Sequence, residues 1–241
     1  MIQPSSVEAI RRAWPMASPG TIDELARAAS VIRSIKASLM SEGERPSRVG
    51  LVLSGTVAAT WNAPDGRMLF AGIYGTGQFM GLATLAGATM TVGIHALAPV
   101  VLLTWDSQRF RSIADADPAM TANLLDRAVF ATQALNHQIK VRSFTSARSR
   151  LAGLLIKYEG LCFSERTPLV PRGQLDALAS VTTRMVRRIL RDWEAARIVA
   201  RVGSSGLVLL DRDALVAEAA PLADFPAPDP AAPGAWVEPL V

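Results

Sequence analysis

The run QLDALASVTTRMVRRILRDW, from Gln174 to Trp193, admits few folds. Leu175, Leu178 and Ala179 share one face of a short helix, and a small-polar break follows at Ser180 to Thr182. Beyond the break, Val186, Ile189, Leu190 and Trp193 recur at helical spacing, so a second helix turns them inward. Its outer face carries Thr183, Arg184, Arg187, Arg188 and Arg191. Two short helices at a tight turn, the second apolar behind and Arg-rich in front, form a helix-turn-helix whose second helix suits a DNA major groove. Those five residues, with Thr182 at the turn, are the candidate contacts to double-stranded DNA. The competing reading is an amphipathic hairpin with a solvated basic face.

Charge placement favours the first reading. The 241-residue chain has a formal net charge of only +4, yet thirteen basic residues face five acidic ones between Lys140 and Arg201, leaving the remainder net acidic. A localised basic segment around a helix pair is the footprint expected for phosphate contact. Cys162 is the single cysteine, which excludes an internal disulfide and any multi-cysteine metal or iron–sulfur site. A reducing, cytoplasmic setting follows as the expectation. Met1 to Pro15 has no continuous apolar core of a secretory signal, and the most apolar run, Ile94 to Trp105, is broken by Pro99 and too short for a bilayer. A soluble protein without a membrane partner is expected.

Along the chain, residues 7–40 read as helical, with Val7, Ile10 and Ala13 and then Ile22, Leu25, Ala29 and Ile32 as apolar faces, interrupted at Pro15 to Gly20. From Val49 the period becomes that of strands. Val49 to Trp61 carries an internal turn at Ser54-Gly55, and Asn62 to Gly66 is a hairpin turn of the Asp-Gly kind. Further strands are predicted at Met68–Ile73, Gly93–Leu97 and Val100–Trp105, punctuated by glycines, in the manner of a jelly-roll barrel. A long helix runs from about Ala119 to Val141. Leu124, Ala128, Ala131, Leu135 and Gln138 form its stripe at three- and four-residue steps, which suits a helix–helix seam; packing on the helix's own domain is the alternative. Ser146 to Tyr158 is another helix, and Ile198 to Leu210 makes the hairpin wing of a winged helix. The predicted fold class is α+β, with four segments: residues 1–117, an N-terminal helical segment and β-roll; 118–144, a dimerisation helix and hinge; 145–220, the winged helix-turn-helix; and 221–241, an extended Pro-rich tail.

This order of elements resembles the CRP/FNR family of bacterial transcription regulators over roughly residues 20–215. The resemblance is carried by Val52-Leu-Ser-Gly-Thr-Val57, Asp65-Gly66, the turn Gly75-Thr-Gly-Gln-Phe-Met-Gly81, the long helix, and Val186-Arg-Arg-Ile-Leu190 before the wing. It implies a homodimer joined through Leu124, Ala128, Ala131 and Leu135, with two recognition helices on a near-palindromic site and RNA polymerase as a candidate partner. Arg188 matches the family's general base contact, an Arg suited to a guanine edge. Arg184 stands where the family has an acid, so a different half-site is implied.

The sensor half departs from the family. Its cyclic-nucleotide members place Glu after the last turn glycine and Arg about nine residues later; here Leu82 follows Gly81, and the Arg position falls at Met90–Thr91. No charged residue stands between Arg67 and Asp106. A buried phosphate there would have no cationic side chain, so control by cyclic nucleotides is not expected. An uncharged cavity for haem or a small apolar ligand, or a solid roll, remains. His95 and His137 are the haem-ligand candidates, though a lone His is more often a structural hydrogen-bonder. No other cofactor and no bound metal are expected. A cupin-like metal enzyme would need clustered His and carboxylate ligands that this stretch lacks, and no catalytic triad is apparent. Catalysis is not expected.

Overall fold

The computed structural model describes residues 4–34, 38–66, 68–164 and 168–224. They divide into two compact units: residues 4–62 with 71–133, and 134–224 with the short stretch 63–70. In chain order the elements are α1 (Pro4–Ala13), α2 (Pro19–Ala28), β1 (Ser30–Ser34), β2 (Ser38–Met40), β3 (Arg48–Ser54), β4 (Val57–Asn62), β5 (Met68–Tyr74), β6 (Phe79–Met80), α3 (Leu82–Leu85), β7 (Gly93–Ala96), β8 (Val100–Asp106), α4 (Ser107–Asp115) and α5 (Pro118–Phe144). There follow α6 (Ala147–Lys157), α7 (Glu159–Cys162), α8 (Leu175–Ala179), α9 (Thr183–Ala195), β9 (Val199–Val202), β10 (Gly206–Leu209) and α10 (Arg212–Ala219). The sequence-predicted helix through residue 40 is corrected. Residues 30–34 and 38–40 are strands, because Val31 and Ile32 pair with Leu103 and Leu102 of β8 and Ser38 and Met40 with His95 and Ile94 of β7. Of the tail, Ala220–Leu222 forms a 3-10 turn, and the extended conformation expected from residue 225 onward lies outside the described residues.

Two four-stranded sheets build the roll, in the orders β1-β8-β3-β6 and β2-β7-β4-β5. Strand β3 is buried on both faces from Val49 to Val52 because α1, α2 and α4 cover one side and the roll interior lies on the other. On the helical side Trp14, Phe79, Trp105 and Phe110 interlock, with ring centroids 5.2 to 5.9 Å apart. Aromatic contacts of this kind, three edge-to-face, one tilted and one stacked, add to the stabilisation that apolar burial gives. Arg127 of α5 lies fully buried against this cluster, its guanidinium 5.5 Å from the Trp14 ring, with Nη2 donating to the Ala13 carbonyl and Nε to Asn123 Oδ1 at 2.8 Å. Burial lowers its pKa to about 10.

Asp117 starts α5. Its carboxylate accepts from the Ser18 backbone at 2.8 Å and the Thr21 hydroxyl at 2.7 Å, and its second oxygen accepts from the N–H groups of Ala119 and Met120. One side chain therefore caps the long helix and fastens α2 to it. The donors hold the carboxyl at about 2, below its ordinary value of 3.8, with the Ser18 bond the largest contribution.

Candidate nucleic-acid interface and roll cavity

The C-terminal unit sets its recognition elements on a closed apolar base. Leu175, Leu178 and Ala179 of α8 and Val186, Ile189, Leu190 and Trp193 of α9 are all buried. Between them Ser180 adopts the left-handed conformation, φ 52° and ψ 47°, which reverses the chain after a single short helix. A side chain is strained there, and the buried Ser180 Oγ finds no partner among the described residues. Arg148 of α6 holds α9 from behind: it grips Glu218 with two hydrogen bonds of 2.5 and 2.6 Å, approaches Asp192 at 3.6 Å, and lies 5.5 Å from the Trp193 ring.

Arg184, Arg187, Arg188 and Arg191 line one open groove with Met185 and Arg201. Among the described residues no carboxylate lies within ion-pair distance of Arg184, Arg187 or Arg188, so these three cations face solvent uncompensated. Arg191 pairs with its neighbour Asp192 at 3.5 Å. Arg201, absent from the sequence-predicted contacts, joins the groove from β9 because Glu194 of α9 accepts from its backbone N–H at 3.1 Å and from its guanidinium. A signal for it existed: Arg201 lies one wing strand beyond α9, in the same basic segment. At the tip of the wing, Arg172 donates to the Ser204 carbonyl at 2.8 Å and braces the turn.

Thr182 and Thr183 make hydrogen bonds inside the motif. Thr182 caps α9, its hydroxyl accepting from Met185 N–H at 3.3 Å, and the Thr183 hydroxyl donates to Asp176 of α8. Both hydroxyls engage the motif because a helix start needs an acceptor and the turn needs a clasp. They orient α9, Thr182 as an acceptor and Thr183 as a donor.

The predicted stripe on α5 is split between buried and exposed positions. Leu124 packs on the roll core, Ala131 is half-buried in the wall of a cavity, and Gln138 is buried. Ala128 and Leu135 are exposed as expected, but their companions are Leu125, Thr132 and Ile139; with Val129, Leu125, Leu135 and Ile139 are 49 to 65% exposed. The inward stripe is Arg127, Phe130, Ala134, His137 and Val141, and two of these are polar. Polar residues on the buried face hide the true orientation from a reading of apolar spacing.

The roll carries a cavity of about 200 Å³ that opens to solvent past the exposed Ala83 and Thr91. Leu82, Met90 and Thr91 meet on it, brought together by the single turn of α3 and the loop after it, where the Thr84 hydroxyl donates to Met90 Sδ at 3.9 Å. Gly81 makes this possible: at φ 104° it turns β6 into α3, and a Cβ there would stand 3.2 Å from Val49 Cα. Among the described residues the remaining wall is apolar apart from Tyr74, whose hydroxyl pKa burial raises. Neither His95 nor His137 lines it. His95 lies on β7 with Nε2 beside Gly93, and His137 sits buried on α5, where desolvation first and then Lys157 and Lys140 lower its pKa. Among the described residues no three His, Cys, Asp or Glu side chains cluster as a metal site, and no helix is long and apolar enough to cross a membrane.

Comparison with known proteins agrees with this architecture. Residues 36–117 match the cyclic nucleotide-binding domain family. FixK2 from Bradyrhizobium japonicum superposes with a TM-score of 0.64 at 18% identity, covering 78% of this chain and 96% of that one. TTHB099, a CRP-family transcriptional regulator from Thermus thermophilus, gives 0.63 at 19% identity over 78% and 96%. CLP, the c-di-GMP-responsive global regulator of Xanthomonas campestris, gives 0.62 at 21% over 80% and 99%. No curated protein matches the sequence. Residues 36–117 thus match the cyclic nucleotide-binding domain family, and the chain carries the fold seen in the CRP/FNR transcription regulators.

Proposed function

We propose that this chain is a sequence-specific DNA-binding transcription regulator that acts as a homodimer, by binding rather than by catalysis, in the cytoplasm beside RNA polymerase. The observation that carries this reading is the uncompensated face of Arg184, Arg187 and Arg188 on a helix whose other side is fully buried. Guanidinium groups on an exposed helix face match both phosphate oxygens and the guanine edge in a major groove. Arg188 is assigned the guanine contact, Arg184 and Arg187 neighbouring contacts, and Arg191 and Arg201 the flanking phosphates. The exposed stripe Leu125, Ala128, Thr132, Leu135 and Ile139 steps by three and four residues, the spacing of a two-helix seam, and supports α5 as the dimer contact.

Cyclic nucleotides are not the signal on this reading, since Leu82 and Met90–Thr91 stand where the family's ribose and phosphate contacts would be. The test is selection of the full-length chain against a pool of random-sequence duplexes. Enrichment of one site with two-fold-related halves is expected; equal affinity for all duplexes would overturn the proposal.

A further inference from the structure

The roll cavity has a composition of its own. Three of its lining residues are methionines, Met40, Met80 and Met90, on three separate stretches of chain. Methionine is flexible and polarizable, and it recurs on surfaces that accept varied apolar partners. Among the described residues no charged side chain lines the space, and Tyr74 and Thr91 are its hydroxyl-bearing residues. Its volume, about 200 Å³, is somewhat larger than the apolar cavity of roughly 150 Å³ that stays dry and takes up benzene. Ions and strongly hydrated molecules would lose their water there without recovering it.

We infer that this cavity binds a small, uncharged, mainly apolar molecule, a single ring or fused ring pair or a short alkyl chain with at most one or two hydrogen-bonding groups. Met40, Met80, Met90 and Ile94 supply the apolar contact, and the Tyr74 and Thr91 hydroxyls supply the polar contact. Ala131 places the ligand against α5, beside Thr132 on the exposed stripe, so occupancy and seam geometry share one helix turn. For its signalling consequence the inference rests on the regulator reading; for binding it stands alone.

The methionines also provide the test. Full-length protein labelled with ¹³C at the methionine methyls is titrated with indole and, separately, with n-octanol, cyclic AMP and cyclic di-GMP. Indole or n-octanol is expected to shift the Met40, Met80 and Met90 signals while Met120 and Met185, outside the cavity, stay in place, and the two nucleotides are expected to shift none. Ala131→Phe fills the cavity from α5 and should weaken neutral-probe binding at least tenfold. Ala83→Trp, at an exposed position on the cavity mouth, gives the same loss without altering the interior. The inference is overturned if neither neutral probe moves the three methyls up to its solubility limit, if either nucleotide moves them at micromolar concentration, or if Ala83→Trp binds the neutral probe as the parent does. DNA affinity measured on the same samples separates the readings: absent probe binding with intact DNA binding removes this inference and leaves the regulator.

Discussion

In the winged helix, arginines crowd onto one face: Arg184, Arg187, Arg188, Arg191 and Arg201 share a single groove. In the roll, the 38 residues from Met68 to Trp105 contain no charged side chain at all. Both regions are held by ordinary apolar cores, so the difference lies in what each surface can receive. The first suits a polyanion, whose contacts strengthen as counterions leave and weaken as salt is added. The second suits a molecule that brings no charge. The structural neighbours include a c-di-GMP-responsive regulator, yet the roll of this chain offers a phosphate no cationic side chain between Met68 and Trp105, whereas the groove on α9 offers five.

The largest expected effect breaks the basic side of this contrast. Arg187→Ala with Arg188→Ala removes two of the three uncompensated cations. At about 1–3 kcal/mol for each contact, affinity for the selected site should fall by roughly two orders of magnitude or more in a gel-shift titration. Arg188→Ala alone should also relax discrimination at one base pair of each half-site. Retained affinity in the double variant would move the interface away from α9.

Next in size is the seam. Leu135→Glu sets two like charges against each other across a two-fold axis, a juxtaposition that costs several kcal/mol, and sedimentation should show monomers. Ala131→Glu, four residues away, faces the roll and should leave the dimer intact while disturbing the cavity. If the two variants exchange these outcomes, the orientation of α5 described above is wrong.

These variants also show what was legible in the sequence. Helix α9 could be read from the sequence because it has a clean division, apolar residues buried and arginines exposed, whereas the cap at Thr182 emerged only from the structure. The strands from Val49 to Asp106 were legible through turn chemistry, Gly55 and Gly66 both taking positive φ where the turns were expected. Helix α5 was legible in extent but not in rotation, since Arg127 and His137 occupy buried positions while Leu125, Leu135 and Ile139 face outward. Residues 30–34 escaped because β1 is an edge strand, exposed along nearly its whole length and so without the alternation that marks a half-buried one. The cavity's outline could not be read locally at all, although the absence of charge that defines its chemistry was plain.

A smaller effect concerns the root of α5. Asp117→Ala should cost roughly 1–2 kcal/mol through loss of the cap. Because the folded-state pKa lies below the ordinary 3.8, the folded state binds fewer protons in this window. The carboxylate's contribution is therefore fully present above about pH 4 and is lost as pH falls toward about 2. Asp117→Asn should flatten the parent's loss of stability over that interval in acid-unfolding curves. The smallest change is a gain: Ser180→Gly relieves a left-handed serine and should raise stability by about 1 kcal/mol, or a Tm increase of roughly 2–4 °C. An unchanged or lowered Tm would mean that the turn is already relaxed.

The central claim, that a two-fold dimer reads DNA through paired recognition helices, is tested most directly by hydroxyl-radical footprinting of the full-length protein on its selected duplex. The account predicts two protected blocks related by a dyad, centred about 10–10.5 base pairs apart, both disappearing together in the Arg187→Ala, Arg188→Ala protein. A single block, or uniform protection without a dyad, would contradict it.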